Sequence, residues 1–171
     1  MNIKTDKEAF EFAVNKLTEQ GCKSLHIVND GTCAYRGYTE KLTKEVKNEA
    51  INIYKLSDNF LDEPEVDETF WDIYEQLLGQ YSYDAKCAVG HLIDDKFYDS
   101  IIEETDITNP GVAESVGKSN PEWRITSESR MMLSLMQSIH DRHDVGKWKS
   151  MFSQFSFDDN GNFMEYKGGA V

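Results

Sequence analysis

The chain has 171 residues, of which 39% are hydrophobic and 12% aromatic, and its formal net charge is −13 from 31 acidic and 18 basic residues. This length suits one domain with its own core, and three widely spaced cysteines favour a reducing, cytoplasmic location over a secreted disulfide framework. No apolar run is long enough to cross a membrane or to form a signal peptide, and the excess of carboxylates argues against direct binding to nucleic acid.

A capping box and an apolar stripe predict the first helix. In Thr5-Asp6-Lys7-Glu8 the Thr5 and Glu8 side chains can satisfy backbone amides, and Gly21 is a natural helix end. Apolar residues recur between them at helical spacing: Phe10, Ala13, Val14 and Leu17. The turn signal Asn29-Asp30-Gly31 then predicts that residues 25–28 pair with residues 32–35.

Helical spacing returns in the middle of the chain. Residues 42–54 predict a second helix and residues 70–78 an acidic third one, which ends at Gly79. Asp84 and Asp95 are each placed to cap a short helix. The turn formers between residues 105 and 121 predict a loop with little regular structure.

The C-terminal third predicts two helices and a hairpin. Ser127 begins the first helix, with a predicted apolar face, and Trp148 lies in the second. Asp158-Asp159-Asn160-Gly161 predicts a hairpin turn. We therefore expect a mainly α (α+β) compact single domain over residues 1–166, with one or two small β-hairpins and a frayed tail at 167–171. The predicted apolar face of the first helix is Met131, Met132, Leu135, Met136 and Ile139.

Metal sites are not expected. Cys87 and His91 are four residues apart and could share a helix face, but two ligands do not make a closed zinc site. A calcium loop around Gly161 would need a carboxylate at position 156 and a Glu at position 167, where Ser156 and Lys167 stand. We expect neither a metal nor a cofactor.

The cysteines and histidines leave two interpretations open. In the first, Cys33 or Cys87 is a nucleophile of a hydrolase or transferase, with His140 or His91 as base and an Asp such as Asp141 orienting the imidazole. Two nearby cations, Arg36 and Lys86, would then lower the thiol pKa. In the second, the cysteines are small buried residues, and His140 and Asp141 form a hydrogen bond at a helix end.

Three tracts occur in a fixed order: Cys-Ala-Tyr-Arg-Gly at 33–37, Lys-Cys-Ala-Val-Gly-His-Leu-Ile-Asp-Asp at 86–95, and Leu-Met-Gln-Ser-Ile-His-Asp at 135–141. Together with Tyr98 and Trp148 they resemble a group of small uncharacterised proteins encoded by phages and prophages. The resemblance covers about half of the chain and implies a helical domain in which the tracts pack around Trp148. In that group the first two tracts lie close together, so the resemblance implies that residues 38–83 are an acidic helical insertion.

This acidic segment is the expected binding surface. From Asp58 to Glu75 there are eight acidic residues and no basic one, and the expected contact residues are among them. We expect a non-enzymatic binding or inhibitor protein of anti-defence type, which acts on a host or defence protein with a basic surface. The more specific form of this hypothesis is that the acidic segment mimics nucleic acid. The oligomeric state is left open. The expected contact residues are Asp62, Glu63, Glu65, Asp67, Glu68, Asp72 and Glu75.

Overall fold

The computed structural model describes residues 2–25, 34–56, 68–103, 105 and 107–169. Within these ranges the chain forms α-helices, short 3₁₀ turns and two small antiparallel sheets, which confirms the mainly α fold with small β-hairpins. The helices are α1 Asp6–Gln20, α2 Glu40–Leu56, α3 Glu68–Leu78, α4 Pro110–Ser119, α5 Ser127–Arg142 and α6 Val145–Phe152. The strands are β1 Ser24–Leu25, β2 Tyr38–Thr39, β3 Phe155–Phe157 and β4 Phe163–Tyr166.

The signals for α1 and for the C-terminal hairpin are confirmed. Thr5 Oγ1 accepts a hydrogen bond from Glu8 N at 3.2 Å, and Glu8 Oε2 accepts one from Thr5 N at 3.2 Å. Gly21 ends the helix with a φ of 66°. At the other end of the chain, Asp158 Oδ1 accepts from Asn160 N at 2.9 Å and so closes the turn between β3 and β4.

The loop predicted over residues 105–121 is wrong, because α4 occupies Pro110–Ser119. Asn109 and Pro110 are turn formers that here begin a helix. Asn109 Oδ1 accepts a hydrogen bond from Gly111 N at 2.9 Å and so caps the helix. Pro110 is the first helical residue, where an amide hydrogen would have no partner within the helix, so its absence costs nothing. Val112 and Val116 then bury one face of α4.

The helices predicted after Asp84 and Asp95 are also wrong. This region contains only 3₁₀ turns, at Gly90–Leu92, Asp95–Phe97 and Ser100–Ile102. Asp84 Oδ1 accepts a hydrogen bond from Thr39 N at 2.7 Å. The Asp84 carboxylate therefore binds the backbone of β2 and does not cap a helix.

Two further expectations need correction. Leu25 pairs with Tyr38 of β2 and not with Tyr35, while the rest of the predicted pairing falls on residues 26–33, which lie outside the described ranges. In α5, Met131 is half exposed, so the buried face is turned away from it. The fully buried residues of that face are Ser129, Met132, Leu133, Met136, Ile139 and His140.

The buried residues form two clusters. The main core joins α1, α4, α5 and α6 with the segment around Cys87. A second cluster, the hairpin core, lies where α2 packs on α3. Its buried members fall within residues 38–78, inside the segment predicted to be an insertion, which itself stays a prediction. The hairpin core consists of Tyr38, Val46, Ala50, Tyr54, Phe70, Tyr74 and Leu78.

Candidate functional site

The first two tracts are joined along their backbones. Cys87 N donates to Ala34 O at 3.1 Å, and Gly37 N donates to Ala85 O at 2.9 Å. Gly90 lies so close to Tyr35 that a Cβ at position 90 would overlap the Tyr35 carbonyl oxygen. The small residues of both tracts therefore serve close backbone contact.

Cys87 lies inside this contact. Its side chain is fully buried, and its sulfur accepts a hydrogen bond from Gly90 N at 3.3 Å. The thiol thus closes the turn that leads into Gly90. Cys33, the other predicted nucleophile, lies outside the described residues.

The third tract ends α5, where His140 and Asp141 meet. His140 Nδ1 lies 2.9 Å from Asp141 Oδ1, which is the hydrogen bond expected at a helix end. The His140 ring is fully buried and stacks on Trp148 with centroids 4.9 Å apart. Trp148 is in turn fixed by a 3.1 Å hydrogen bond from its Nε1 to His143 O. This arrangement orients the imidazole and also locks it into the core.

Buried reactive groups are poorly placed for catalysis. Cys87 and His140 are both fully buried, so a substrate could reach neither without opening the main core. His91 lies closer to the surface, but burial lowers its pKa to about 4, helped by the nearby Lys86 charge, so its imidazole is neutral at physiological pH and only a weak base. Among the described residues, Cys87 and His140 are thus enclosed in the protein interior.

Thiol labelling tests the catalytic interpretation directly. In the folded protein we expect iodoacetamide to leave Cys87 unmodified, because its sulfur is buried, and to modify Cys22 slowly, because burial and then the charge of Asp84 raise the pKa of that thiol. Both should react fully in urea. Mass spectrometry of native and unfolded samples gives the site-by-site rates, with Cys33→Ser as a control. Rapid labelling of Cys87 at neutral pH would instead support a Cys/His enzyme.

No group of three or more His, Cys, Asp or Glu side chains within the described ranges is arranged to hold a metal ion. The same ranges contain no helix with both the length and the apolar character needed to span a bilayer.

The acidic surface is formed by α3. Glu68, Asp72 and Glu75 are exposed and follow one another at spacings of four and three residues, which puts them on one side of the helix. The opposite side, with Phe70 and Tyr74, is buried in the hairpin core. We call these three carboxylates the acidic row. The other predicted contact residues, Asp62, Glu63, Glu65 and Asp67, lie outside the described ranges.

The acidic row differs from two of the three carboxylates of the neighbouring helix. On α2, Glu40 pairs with Lys44 at 2.5 Å and Glu45 with Lys41 at 3.8 Å. Among the residues that the structure describes, no member of the row has an ion-pair partner. The row therefore presents uncompensated negative charge.

A groove with both polar and apolar walls runs between α1 and the second tract. Its volume is about 620 Å³, and sequence reasoning did not find it because its walls come from distant segments. Two of its residues could have been found from the sequence, because Arg36 and Lys86 belong to the first and second tracts. In the structure both cations pair with Asp95, the residue that was predicted to cap a helix. The wall also includes Phe12, Lys16, Gln20, Tyr83, His91 and Ile93.

Comparisons of this chain with protein-family models, with curated proteins and with solved structures give no match. Function must therefore be inferred from the residues themselves.

Proposed function

We propose that this is a non-enzymatic binding protein whose acidic row engages a basic surface of a partner protein. The observation that carries the proposal is the set of exposed carboxylates on α3 without ion-pair partners among the described residues. The resemblance to phage-encoded proteins favours a host or defence protein as the partner and the host cytoplasm as the location. The four acidic residues at 62, 63, 65 and 67 precede the row in sequence.

The acidic row lies on a helix whose opposite side is packed in the hairpin core. The buried side of α3 contributes Phe70 and Tyr74, whose rings stack with centroids 6.2 Å apart, and Tyr54 of α2 meets Phe70 edge-on at 6.2 Å. A surface held by such packing loses little conformational freedom on binding. This supports a preformed contact surface.

Spacing supports the sharper form of the proposal, which is mimicry of nucleic acid. With a rise of about 1.5 Å per residue, the three carboxylates lie about 6 Å and about 4.5 Å apart along the helix axis. A nucleic-acid strand carries one phosphate charge about every 3.4 Å of its axis. The row is sparser than a phosphate strand, but the long Lys and Arg side chains of a protein that binds a phosphate backbone could still reach all three carboxylates.

Charge reversal tests the proposal. The triple variant Glu68→Lys, Asp72→Lys and Glu75→Lys should weaken capture of basic host proteins by at least about tenfold at low salt, because each reversal replaces attraction by repulsion. Quantitative mass spectrometry of proteins captured from host lysate is the measurement. If mimicry operates, a short DNA duplex should displace the captured protein.

The matched control reverses three exposed carboxylates elsewhere, Glu11→Lys, Glu19→Lys and Glu114→Lys, with the same change in net charge. We expect this control to capture the same partner as the wild type. Equal loss in the two triple variants would show an effect of net charge only, and unchanged capture by the α3 variant would refute the proposed surface.

A further inference from the structure

We propose that the groove between α1 and the second tract binds a small organic anion, whose carboxylate or phosphate group is held by Arg36 and Lys86. This site is separate from the acidic row and does not depend on the function proposed for it.

Arg36 is held in place from two directions. Its guanidinium lies over the Tyr98 ring, 4.2 Å from the centroid, and its backbone N donates to Glu103 Oε1 at 3.0 Å. Glu103 also accepts from Tyr98 Oη at 2.7 Å and from Tyr35 N at 2.9 Å. Only 21% of the Arg36 side chain is exposed. The guanidinium is therefore positioned before any ligand arrives.

Lys86 is positioned by Gln20 of α1. Lys86 N donates to Gln20 Oε1 at 2.9 Å, and Gln20 Nε2 donates to Lys86 O at 3.0 Å. The Lys86 side chain is 29% exposed. Two partly buried cations thus converge at one end of the groove, one on a backbone that α1 holds and the other stacked on Tyr98.

Asp95 shows what these cations bind. A single oxygen, Asp95 Oδ1, accepts from Lys86 Nζ at 2.8 Å and from Arg36 Nη2. The hydrogen bond from Lys86, then that from Arg36, holds the pKa of the carboxyl below its usual range, so it is ionised at neutral pH. Yet the Asp95 side chain is 72% exposed. An exposed carboxylate can turn to solvent at little cost, so it acts as a resident anion that a ligand can displace.

The other charges in the groove are already engaged. Asp84 accepts from the backbone N and the hydroxyl of Thr39, and Asp94 pairs with Lys96 at 3.4 Å. Lys16 pairs with Glu19 at 2.6 Å. Arg36, Lys86 and Asp95 together carry a net charge of +1. Asp84, whose hydrogen bonds to Thr39 leave its charge in place, brings the sum for the whole wall to zero, so an anion is attracted only where Arg36 and Lys86 meet.

The rest of the groove suits the organic part of such a ligand. Phe12, Tyr83 and Ile93 supply aromatic and apolar wall beside the cations. A volume of about 620 Å³ lies within the usual range for small-molecule sites. A planar or short apolar group can therefore lie along the groove while its oxyanion meets Arg36 and Lys86.

The experiment is a titration followed by NMR chemical shifts, with adenosine monophosphate, benzoate and inorganic phosphate as probes. Adenosine monophosphate and benzoate separate a phosphate from a carboxylate ligand, and at least one should bind more tightly than inorganic phosphate. Arg36→Gln and Lys86→Gln should each weaken binding by about tenfold, because each removes a charge-assisted hydrogen bond. Asp95→Asn should strengthen binding several-fold, because it removes the competing anion.

Lys118→Gln is the matched control, since it removes a positive charge that pairs with Glu114 on α4 and does not line the groove. It should leave affinity unchanged, and equal weakening by this variant would overturn the site. The proposal also fails if no probe binds wild type or Asp95→Asn, or if inorganic phosphate binds as well as the organic anions. Should Arg36→Gln not fold, the exposed Asp95 still provides a test, because a gain of affinity cannot come from unfolding.

Discussion

Gly90→Ala should lower the free energy of unfolding by about 3 kcal/mol, because the new Cβ would overlap the backbone carbonyl oxygen of Tyr35. A side chain could rotate away from such a contact, but a backbone carbonyl cannot. The Tyr35 backbone is also held by its 2.9 Å hydrogen bond to Glu103, so relief would have to break that contact. Urea unfolding, with the slope compared between variants, measures the change.

Gly146→Ala is the control for this prediction. Gly146 lies inside α6, and a Cβ there would meet nothing within 4 Å. Since alanine favours a helix over glycine by about 0.5–1 kcal/mol, this variant should be as stable as the wild type or slightly more stable. Similar stability of the Gly90 and Gly146 variants would mean that the two tracts are not in the close contact described above.

Asp6→Ala should lower the free energy of unfolding by about 3–5 kcal/mol. Asp6 is buried, with 4% of its surface exposed, and its carboxylate accepts three hydrogen bonds from distant parts of the chain. Trp123 Nε1 donates at 2.9 Å, Ser129 Oγ at 2.6 Å and Phe163 N at 2.9 Å. Alanine would leave these donors buried without an acceptor, which costs far more than an exposed hydrogen bond.

Two variants sharpen the Asp6 prediction. Asp6→Asn keeps the shape but turns one acceptor into a donor, so it should cost less than alanine and still be clearly destabilising. Asp159→Ala removes an exposed carboxylate and should change stability by less than about 0.5 kcal/mol. Thermal or urea unfolding compares all three, and a wild-type stability for Asp6→Ala would show that the three donors find other partners.

Asp6 also shows what sequence reasoning could and could not find. The capping box placed it in the first turn of α1, where an acidic residue is common, and nothing in its neighbours indicated contacts with residues more than a hundred positions away. The helix was predictable because its signals are local. The buried acceptor was not, because its donors meet only when α5 and β4 pack against α1.

The errors around α4 and Asp84 have a related cause. Asn109 and Pro110 suit both a turn and a helix start, and the burial of Val112 and Val116 decides for the helix. Asp84 suits a helix cap, but its carboxylate instead accepts a hydrogen bond from the backbone amide of Thr39. Local residue preferences allow both outcomes in each case, and long-range packing selects one.

By itself the sequence determined the mainly helical class, the ends of α1, the C-terminal hairpin and the acidic character of α3, because capping, periodicity and turn chemistry act within a few residues. Only the tertiary structure decided that Cys87 and His140 are enclosed in the core, and that Arg36, Lys86 and Asp95 meet at one groove. Burial and the meeting of charges depend on which distant segments share a surface, and no local pattern specifies that.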